Sequence, residues 1–373
     1  MTPRRQALSR DPPLLIDGAA GEGGGQIIRT ALSLAAIKGR AVRIVNIRKG
    51  RPRPGLAAQH LTAVRAVGNL CDATVIGDTL GSDEILFAPR RRPRAGDYAF
   101  DVGAARAGGS AGASTLVIHA VLLPLVFAEG SSTVVVDGGT YMAWSPPIDH
   151  VVDVWAPTLA RMGARAEVVQ LRAGWYPIGQ GRIRATIDGL GPDAASCLRA
   201  IDLRDRGRLI GIDGHSVVSR LPDRIAERMS KHASALLAHL DVPIRIEPTV
   251  LDAACPGAGV VLVARYQNAA GGFSALGARG KPAEAVAEEA AARLLDHHAS
   301  GAGVDVHLSD QLLLPMAVAK GVSRFSTATV SSHLATNRAV IEHFGIADIG
   351  LERRSSDHYE VEVVPQEASR KGT

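Results

Sequence analysis

A glycine-rich segment near the amino terminus holds the side chains whose chemistry is easiest to interpret. Residues 17–29 read DGAAGEGGGQIIR and lie between an apolar run that predicts a strand and a helical pattern over Ile27–Ile37. Glycines at such a junction let backbone N–H groups converge on an anion at the helix N-terminus. The carboxylate of Glu22, the amide of Gln26 and the guanidinium of Arg29 suit a phosphate bridged by a metal ion.

The glycine pattern alone leaves two interpretations open. It fits neither common phosphate motif, because G-x-x-x-x-G-K-[ST] is absent and the glycines do not follow G-x-G-x-x-G. A structural turn without a ligand is therefore the alternative to a phosphate site.

A second candidate is the basic loop over residues 46–56, which reads NIRKGRPRPGL and lies between a predicted strand and a predicted helix. Its cations are Arg48, Lys49, Arg51 and Arg53. Prolines on both sides of Arg53 hold the loop extended and lower the ordering cost of binding. The loop is either a cradle for an oligophosphate, with Gln59 and His60 in the following helix, or a solvated charged surface.

Two segments near the carboxyl terminus could supply a nucleophile and its partners. In SDQLLLPMA, Asp310 and Gln311 are expected to open a helix, where a carboxylate can also act as a cap. In VSSHLATN, His333 begins another helix among hydroxyl and amide side chains. Such a histidine is either a packing residue or a neutral nucleophile aimed at phosphorus. A further segment, GGT followed by SPP at 145–147, is either a turn or a flat plate for a base.

Composition bounds the class of protein. The chain has 373 residues, 46% of them hydrophobic and only 4% aromatic, so a large aliphatic core is expected. The net charge is +5, and nearly all of the positively charged side chains are arginine, which suits bidentate phosphate contacts. A GC-rich genome would give the same excess, so the position of each arginine matters more than the number.

Cysteine usage and hydropathy exclude several classes. The three cysteines are far apart and form neither a disulfide framework nor a zinc pattern. Residues 1–11 lack the apolar run of a secretory signal. The longest apolar run, Leu116–Phe127, is interrupted by His119 and Pro124 and is too short to span a bilayer. We therefore expect a cytoplasmic protein without a membrane partner.

The order of predicted elements indicates an internal repeat. Residues 14–95 and 96–188 share the order strand, helix, strand, helix, strand, strand. This predicts an α+β, α/β sandwich-like fold. Its large domain of repeated βαβαββ units comprises residues 1–199 and 301–373, with a frayed end over 365–373.

A smaller α/β domain is expected to be inserted over residues 200–300. Arg224–Leu240 and Ala283–His298 predict helices, and strands are expected beside them, whereas Leu251–Gly257 and Asn268–Gly280 are expected to be rich in loops.

Taken together and in this order, the segments resemble the RNA 3′-terminal phosphate cyclase family. The opening matches that family's D-G-x-x-G-E-G-G-G-Q-[IL]-[IL]-R, and Ile47–Val64 matches I-R-x-G-R-x-x-P-G-L-x-x-Q-H-L-T-A-V. G-G-T…P-P, G-[FW]-Y-P-x-G, D-Q-L-x-L-P-M-A and H-L-x-T-N follow further on. The likeness covers Leu14 to about Val364.

The resemblance implies a ligase that acts on RNA in three steps. A histidine attacks the α-phosphorus of ATP and releases pyrophosphate, and the resulting histidine–AMP passes AMP to an RNA 3′-phosphate. The adjacent 2′-OH then forms a 2′,3′-cyclic phosphate and releases AMP. The resemblance further implies RNA with a 3′-terminal phosphate and ATP as partners, with Mg or Mn as the divalent metal. The oligomeric state, a homodimer included, is left open by the sequence.

The resemblance also carries roles to individual residues. It makes His333 the nucleophile and Glu22 the carboxylate near ATP and the metal. The remaining nucleotide-site residues it implies are Gln26, Pro146, His307, Asp310, Gln311 and Asn337. Those around the phosphates and the RNA end are Arg29, Arg48, Arg51, Gln59, His60 and His119.

This chain departs from the family pattern at a few positions. His307 stands where relatives often place a tyrosine on adenine, His119 replaces a glutamine, and Gln180 interrupts a run of glycines. An extra stretch near Ala104–Gly109 lengthens one loop. The second hypothesis, a non-catalytic relative that binds RNA during ribosomal RNA processing, is disfavoured because His333 is present.

Overall fold

The computed structural model describes residues 11–366. The predictions made on residues 1–10 and on 367–373 lie outside the described residues. Between these limits the chain forms four four-stranded mixed sheets covered by helices. The predicted α+β fold built from βαβαββ units is confirmed.

The first unit forms a sheet of order β1-β2-β4-β3, in which β1 and β2 are parallel. Its elements are β1 (Leu14–Asp17), α1 (Gly25–Lys38), β2 (Val42–Val45), α2 (Ala58–Cys71), β3 (Thr74–Ile76) and β4 (Ile85–Ala88). Helices α1 and α2 bury their apolar faces against the sheet and against one another. Gly39 ends α1 in the left-handed conformation, as a helix C-terminus favours.

The second unit repeats the pattern, with the sheet order β5-β6-β8-β7. Its elements are β5 (Asp97–Asp101), α3 (Ser114–Val126), β6 (Glu129–Gly138), α4 (Ile148–His150), a π-helical turn (Val151–Trp155), α5 (Ala156–Arg161), β7 (Ala166–Arg172) and β8 (Gly181–Leu190). Helix α3 is buried on nearly every face, which explains its apolar sequence. Among residues 11–366, no helix is long and apolar enough to cross a membrane.

A third unit begins after the short helix α6 (Ala194–Cys197) and is interrupted by an insertion. Its sheet, read as β9-β14-β16-β15, has the order of the first two. The elements are β9 (Asp202–Leu203), α9 (Val306–Val318), β14 (Ser323–Thr327), α10 (Ser332–His343), β15 (Ala347–Ser355) and β16 (His358–Pro365).

The chain between β9 and α9 forms a separate sheet of order β11-β10-β12-β13 with its own apolar core. The elements are β10 (Leu209–Ser219), α7 (Arg224–Leu237), a 3-10 turn (Ala238–Leu240), β11 (Ile244–Val250), β12 (Gly257–Tyr266), β13 (Ala270–Leu276) and α8 (Ala283–Ser300). Buried Arg206 donates to the carbonyls of His297 and Ala302 at 2.9 and 3.2 Å, which holds together the two connections between this sheet and the third unit. The domain division at residues 200 and 300 stays a prediction.

Two sequence-based expectations are wrong. Asn268–Gly280 is not a loop, because β13 occupies Ala270–Leu276. A glycine in this strand allows close packing, because a Cβ on Gly272 would lie 2.4 Å from the ring of His150. Asp310 and Gln311 do not open a helix either, since α9 begins at Val306 and Asp305 is its N-cap.

Candidate active site

The candidate site lies where the glycine-rich loop, the basic loop and the start of α10 meet. The two loops follow β1 and β2, which are adjacent and parallel, so both leave the same edge of one sheet. The Gly18 N–H donates to the Val45 carbonyl at 2.7 Å and holds the loops side by side. Helix α10 approaches from the third unit, and the Glu22 N–H donates to Oγ1 of Thr336 at 3.1 Å.

Glu22 connects the basic loop with the candidate nucleophile. Its Oε1 is ion-paired with Arg51, and its Oε2 lies 2.6 Å from Nδ1 of His333. The second contact is within ion-pair distance, but Oε2 has no hydrogen-bonding partner of good geometry. The Glu22 side chain is 17% exposed and that of His333 is 47% exposed. The carboxylate is therefore largely buried while the imidazole stays open to a substrate.

This arrangement determines which nitrogen of His333 can react. A carboxylate beside Nδ1 favours the tautomer that carries its proton there, which leaves the lone pair on Nε2. Burial lowers the pKa of His333 below its usual value; Asp310 opposes this effect, whereas Arg29 and Arg51 reinforce it. His333 is accordingly neutral at pH 7, as a nitrogen nucleophile must be.

The close approach of α10 requires a glycine at position 21. Gly21 has φ of +58°, in the region that favours glycine, and a Cβ there would lie 2.3 Å from Oγ1 of Thr336. Thr336 was not among the predicted site residues. Its only signal in the sequence is its position three residues after His333, on nearly the same face of the helix.

A buried cation and a neutral imidazole lie behind the glycine loop. Burial lowers the pKa of Arg29 to about 10, which still leaves the guanidinium charged at pH 7. Burial, with the nearby cations of Arg29 and Arg48, lowers the pKa of His60 to about 3. Nδ1 of His60 accepts the Ala57 N–H at 3.3 Å, so Nε2 carries the proton. That N–H is directed at Gly25, where a Cβ would lie 2.2 Å away.

Asn337 joins three helices beneath the site. Its Oδ1 accepts a hydrogen bond from Thr30 on α1, and its Nδ2 donates to the Asp310 carbonyl at 2.7 Å. Burial raises the pKa of Asp310 to about 6, although the charges of His333 and Arg29 favour the ionised form. The carboxyl group of Asp310 is thus held close to the nucleophile in a poorly solvated place.

Several predicted residues surround a small cavity of about 30 Å³ between α1, α3, α9 and α10. Its volume suits about two water molecules and excludes a nucleotide. Nε2 of His119 and Oε1 of Gln311 have no hydrogen-bonding partner there, and the His119 ring stacks on Trp155 at 4.0 Å. The predicted residues that line it are Gln26, Arg29, His119, Gln311 and Asn337.

The other predicted residues lie around the same region without contacting the His333–Glu22 pair. Oε1 of Gln59 accepts the Ala113 N–H at 3.0 Å and links the first two units. The guanidinium of Arg48 donates to the Gly55 carbonyl at 2.8 Å and so lies inside its own loop. Half-buried Pro146 accepts a hydrogen bond from Thr115 at 3.0 Å, and His307 is exposed in the first turn of α9.

A buried pair that sequence reasoning missed supports α9. Oδ2 of Asp305 lies 3.6 Å from Nε2 of His150, and its Oδ1 accepts the N–H groups of His307 and Leu308, each at 2.9 Å. Burial opposes ionisation of Asp305, but these contacts outweigh it and hold its pKa below the usual range. The signal available in the sequence was an aspartate three residues before a helical leucine, a common N-cap pattern.

No cluster of three or more His, Cys, Asp or Glu side chains that could hold a metal occurs within residues 11–366. Glu22 is a single carboxylate whose buried Oε2 lacks a good hydrogen-bonding partner. This donor set fits Mg²⁺, which usually takes one or two carboxylates and completes its shell with substrate phosphates and water.

Comparison with known proteins shows the family of this chain. The family model described as RNA 3′-terminal phosphate cyclase matches residues 20–351. The chain belongs to this family. The expectation drawn from the sequence motifs is confirmed, and with it the assignment of the chain as an RNA 3′-terminal-phosphate cyclase, an enzyme.

Curated cyclases match nearly the whole chain. The RNA 3′-terminal phosphate cyclase of Methylococcus capsulatus is 54% identical over 338 residues, which cover 91% of this chain and 92% of that protein. The cyclase of Gloeothece citriformis is 46% identical over 337 residues, 90% of this chain and 95% of that one. Among solved structures, the enolpyruvyl transferase NikO from Streptomyces tendae covers 94% of this chain and 48% of its own. Its TM-score of 0.33 and identity of 12% are too low to bear on fold or function.

Proposed function

We propose that this cyclase converts an RNA 3′-terminal phosphate into a 2′,3′-cyclic phosphate, with ATP as the second substrate and a covalent AMP on His333 as the first intermediate. The observation that carries the proposal is the pair formed by Glu22 and His333. A buried carboxylate beside Nδ1 leaves Nε2 unprotonated and half exposed at the edge where the phosphate-binding loops meet.

In the first step, the Nε2 lone pair attacks the α-phosphorus of ATP, and the bond from that phosphorus to the bridging oxygen of pyrophosphate breaks. The imidazole becomes positively charged as the new bond forms. Glu22 stabilises that charge through Nδ1, as a carboxylate does when it orients a catalytic histidine. Arg51 is ion-paired with Glu22 and holds its carboxylate in place.

In the second step, an oxygen of the RNA 3′-phosphate attacks the same phosphorus, and the phosphorus–nitrogen bond breaks. The neutral imidazole is regenerated, and the RNA now carries AMP in a pyrophosphate linkage. The adjacent ribose 2′-OH then attacks the RNA phosphorus, loses its proton and expels AMP. Because the hydroxyl is fixed next to the phosphate, its effective concentration is very high.

The surrounding residues have separate tasks in this proposal. Arg29, His60 and the backbone N–H groups of the glycine loop bind the ATP phosphates. Pro146 and His307 pack on the adenine, while Asp310, Gln311 and Asn337 support the nucleotide side. Arg48 and Gln59 belong to the phosphate and RNA-end side, whereas His119 lines the small cavity and stacks on Trp155.

A divalent metal, Mg or Mn, would be held by Glu22 together with substrate phosphates and water. When bound, it supplies positive charge that offsets the charge on the departing pyrophosphate. Oε2 of Glu22, which lacks a hydrogen-bonding partner, is the atom available to such a metal, while Oε1 stays paired with Arg51.

The test is covalent labelling with ATP carrying a label at the α-phosphate. We expect wild-type protein to gain a label that is stable in base and lost in acid, as a phosphoramidate is. His333→Ala should acquire none, whereas His343→Ala, on the same helix but bonded to the Leu15 carbonyl, should label like wild type. Label on His333→Ala would disprove the assignment. The product is checked separately, because a cyclic end protects the RNA phosphate from phosphatase.

A further inference from the structure

Two aromatic side chains are strongly exposed in a chain that has few aromatic residues. Trp144 is 100% exposed, more than any other large apolar side chain among the described residues, and Tyr176 is 76% exposed. The other two tryptophans, Trp155 and Trp175, are buried. Trp144 therefore contributes nothing to the core, and its ring is free to contact a binding partner.

The two rings belong to neighbouring loops at one edge of the second sheet. Trp144 follows β6 and Tyr176 precedes β8, and these antiparallel strands place Gly138 opposite Gly181. The N–H groups of Thr140 and Tyr141 both donate to the Gly174 carbonyl, at 2.9 and 3.1 Å. The loops are thus joined to each other through their backbones.

A buried aromatic stack keeps both loops rigid. Tyr141 and Trp175 stack with ring centroids 4.5 Å apart, and Nε1 of Trp175 donates to Ser219 at 2.9 Å. Tyr176 follows Trp175 directly in the sequence, and Trp144 lies three residues after Tyr141. A ring presented on such a support loses little conformational entropy when it binds.

The backbone at Trp144 is unfavourable for its side chain. Its φ is +66°, in the left-handed region that bulky residues avoid. Ser145 stabilises the turn by donating to the Met142 carbonyl at 3.1 Å. Strained conformations of this kind persist mainly at functional positions, because the surrounding structure must compensate for them.

Hydrogen bonds connect this edge of the second sheet with a residue that we place at the RNA end. Gln59, which we place at the RNA end, is bonded to Ala113, and Ala113 pairs with Gly139 at the start of the Trp144 loop. The loop over residues 103–111 contacts the Tyr176 loop at Gly179 and carries exposed Arg106. Aromatic rings beside a cation are the usual means of holding a single strand.

We propose that Trp144 and Tyr176 stack on unpaired bases of the RNA strand just before its 3′-terminal phosphate. This proposal rests on the proposed function, since it assumes that the end of an RNA strand is the substrate. Stacking uses the faces of the bases and tolerates any sequence, so it would let one enzyme accept many RNA ends.

The experiment measures the affinity for a short RNA with a 3′-phosphate and a 5′ fluorophore, by fluorescence anisotropy and without ATP. Each variant is compared on normal RNA and on RNA lacking the two bases before the terminal nucleotide. Trp144→Ala should bind normal RNA at least about tenfold more weakly than wild type. Trp144→Phe should lose less affinity, and Tyr176→Ala should weaken binding in the same direction. Ile76→Ala, at an exposed position on β3 of the first sheet, is the control and should bind like wild type.

Binding to the RNA that lacks these two bases is the decisive measurement. Wild type should bind it weakly, and Trp144→Ala should bind it no more weakly than wild type does. Unchanged affinity of Trp144→Ala for normal RNA would overturn the proposal, and so would an equal loss on both RNAs. Loss of labelling by ATP with unchanged RNA affinity would assign the ring to the nucleotide. A wild-type dimer that Trp144→Ala dissociates would assign it to a second copy of the chain.

Failure of this proposal and failure of the proposed function give different results. The binding assay contains no ATP, so a base-dependent loss in Trp144→Ala stands even if His333 never acquires AMP. In that case the aromatic surface belongs to a protein that binds RNA ends without turnover. Labelling of His333 together with base-independent RNA binding would leave the reaction intact and reject the stacking surface.

Discussion

Oε2 of Glu22 lies 2.6 Å from Nδ1 of His333, and this contact joins the glycine-rich loop to helix α10. The distance matters because a carboxylate beside Nδ1 favours the tautomer protonated there, which would leave Nε2 as the nitrogen that attacks in the proposed reaction. In the proposed reaction it also gives Glu22 a task that does not depend on a metal, because the carboxylate would orient His333 before any substrate binds.

Replacing Glu22 by Gln tests that orientation. The amide keeps the shape of the side chain but cannot stabilise a positive imidazole, so His333 labelling should slow on the order of 100-fold. Glu84→Gln removes an exposed carboxylate paired with Arg43 and is the matched control. Rates are measured in single-turnover labelling at saturating ATP and Mg²⁺. A Glu22→Gln rate within about twofold of wild type would show that Glu22 neither orients His333 nor binds the metal.

Arg48 and Arg51 are expected to behave differently, although the sequence groups them as contacts of the RNA end. Arg51 is paired with Glu22, so Arg51→Ala should slow the labelling of His333 as well as transfer to RNA. The guanidinium of Arg48 donates to the Gly55 carbonyl of its own loop rather than to Glu22, so Arg48→Ala should impair transfer more than labelling. Its RNA affinity should depend less steeply on salt, by about 0.7 in the log–log slope.

Exposed Arg53 in the same loop is the control for both changes. Transfer is followed with RNA ending in a 3′-phosphate, after labelling is complete. Equal losses of labelling and transfer in Arg48→Ala would place Arg48 on the ATP phosphates and remove the distinction.

The pH dependence of labelling follows from the environment of His333. Its pKa lies below the usual value because the ring is partly buried, with further lowering by Arg29 and Arg51. The neutral form therefore predominates at pH 7, and the rate should be level above pH 7 and fall only below about 6.5. Arg51→Ala removes one cation and should move this fall to higher pH. A wild-type rate that still rises steeply above pH 7.5 would contradict the assigned environment.

Asp310 should destabilise the fold at neutral pH. Burial raises its pKa from 3.8 to about 6, so between these pH values the folded state holds a proton that the unfolded state has released. The free energy of unfolding therefore decreases as pH rises through this window, by up to about 3 kcal/mol, and stays lower above it.

The measurement for Asp310 compares Asp310→Asn with wild type by thermal and urea unfolding at pH 4 and pH 7.5. The variant should be more stable than wild type at pH 7.5, and the difference should vanish near pH 4. It should also label His333 more slowly, since the nearby carboxylate is lost. Exposed Asp296→Asn is the control. A variant that is less stable at pH 7.5 would show that the charged carboxylate is compensated.

The sequence by itself determined the family, the repeated order of elements and the chemical types at the site. Apolar periodicity predicts strands and helices wherever one face of an element packs on a core, as in α1 and α2. The glycine loop and His333 could be recognised because each function requires a particular residue type at a particular spacing. Where glycines served close packing, as in β13, the same signal was misread as a loop.

Only the tertiary structure decided which of these residues meet. Contacts between distant segments depend on how the units pack, and no local pattern reports them. Glu22 reaches His333 because Gly21 lets α10 approach, and Arg51 separates from Arg48 because its side chain follows that carboxylate. His119 turns from the phosphate loops toward a cavity because Trp155 offers its ring a stacking surface. Trp144 stays in solvent because its turn lies beyond the edge of the sheet, and that exposure marks it as a candidate contact for RNA.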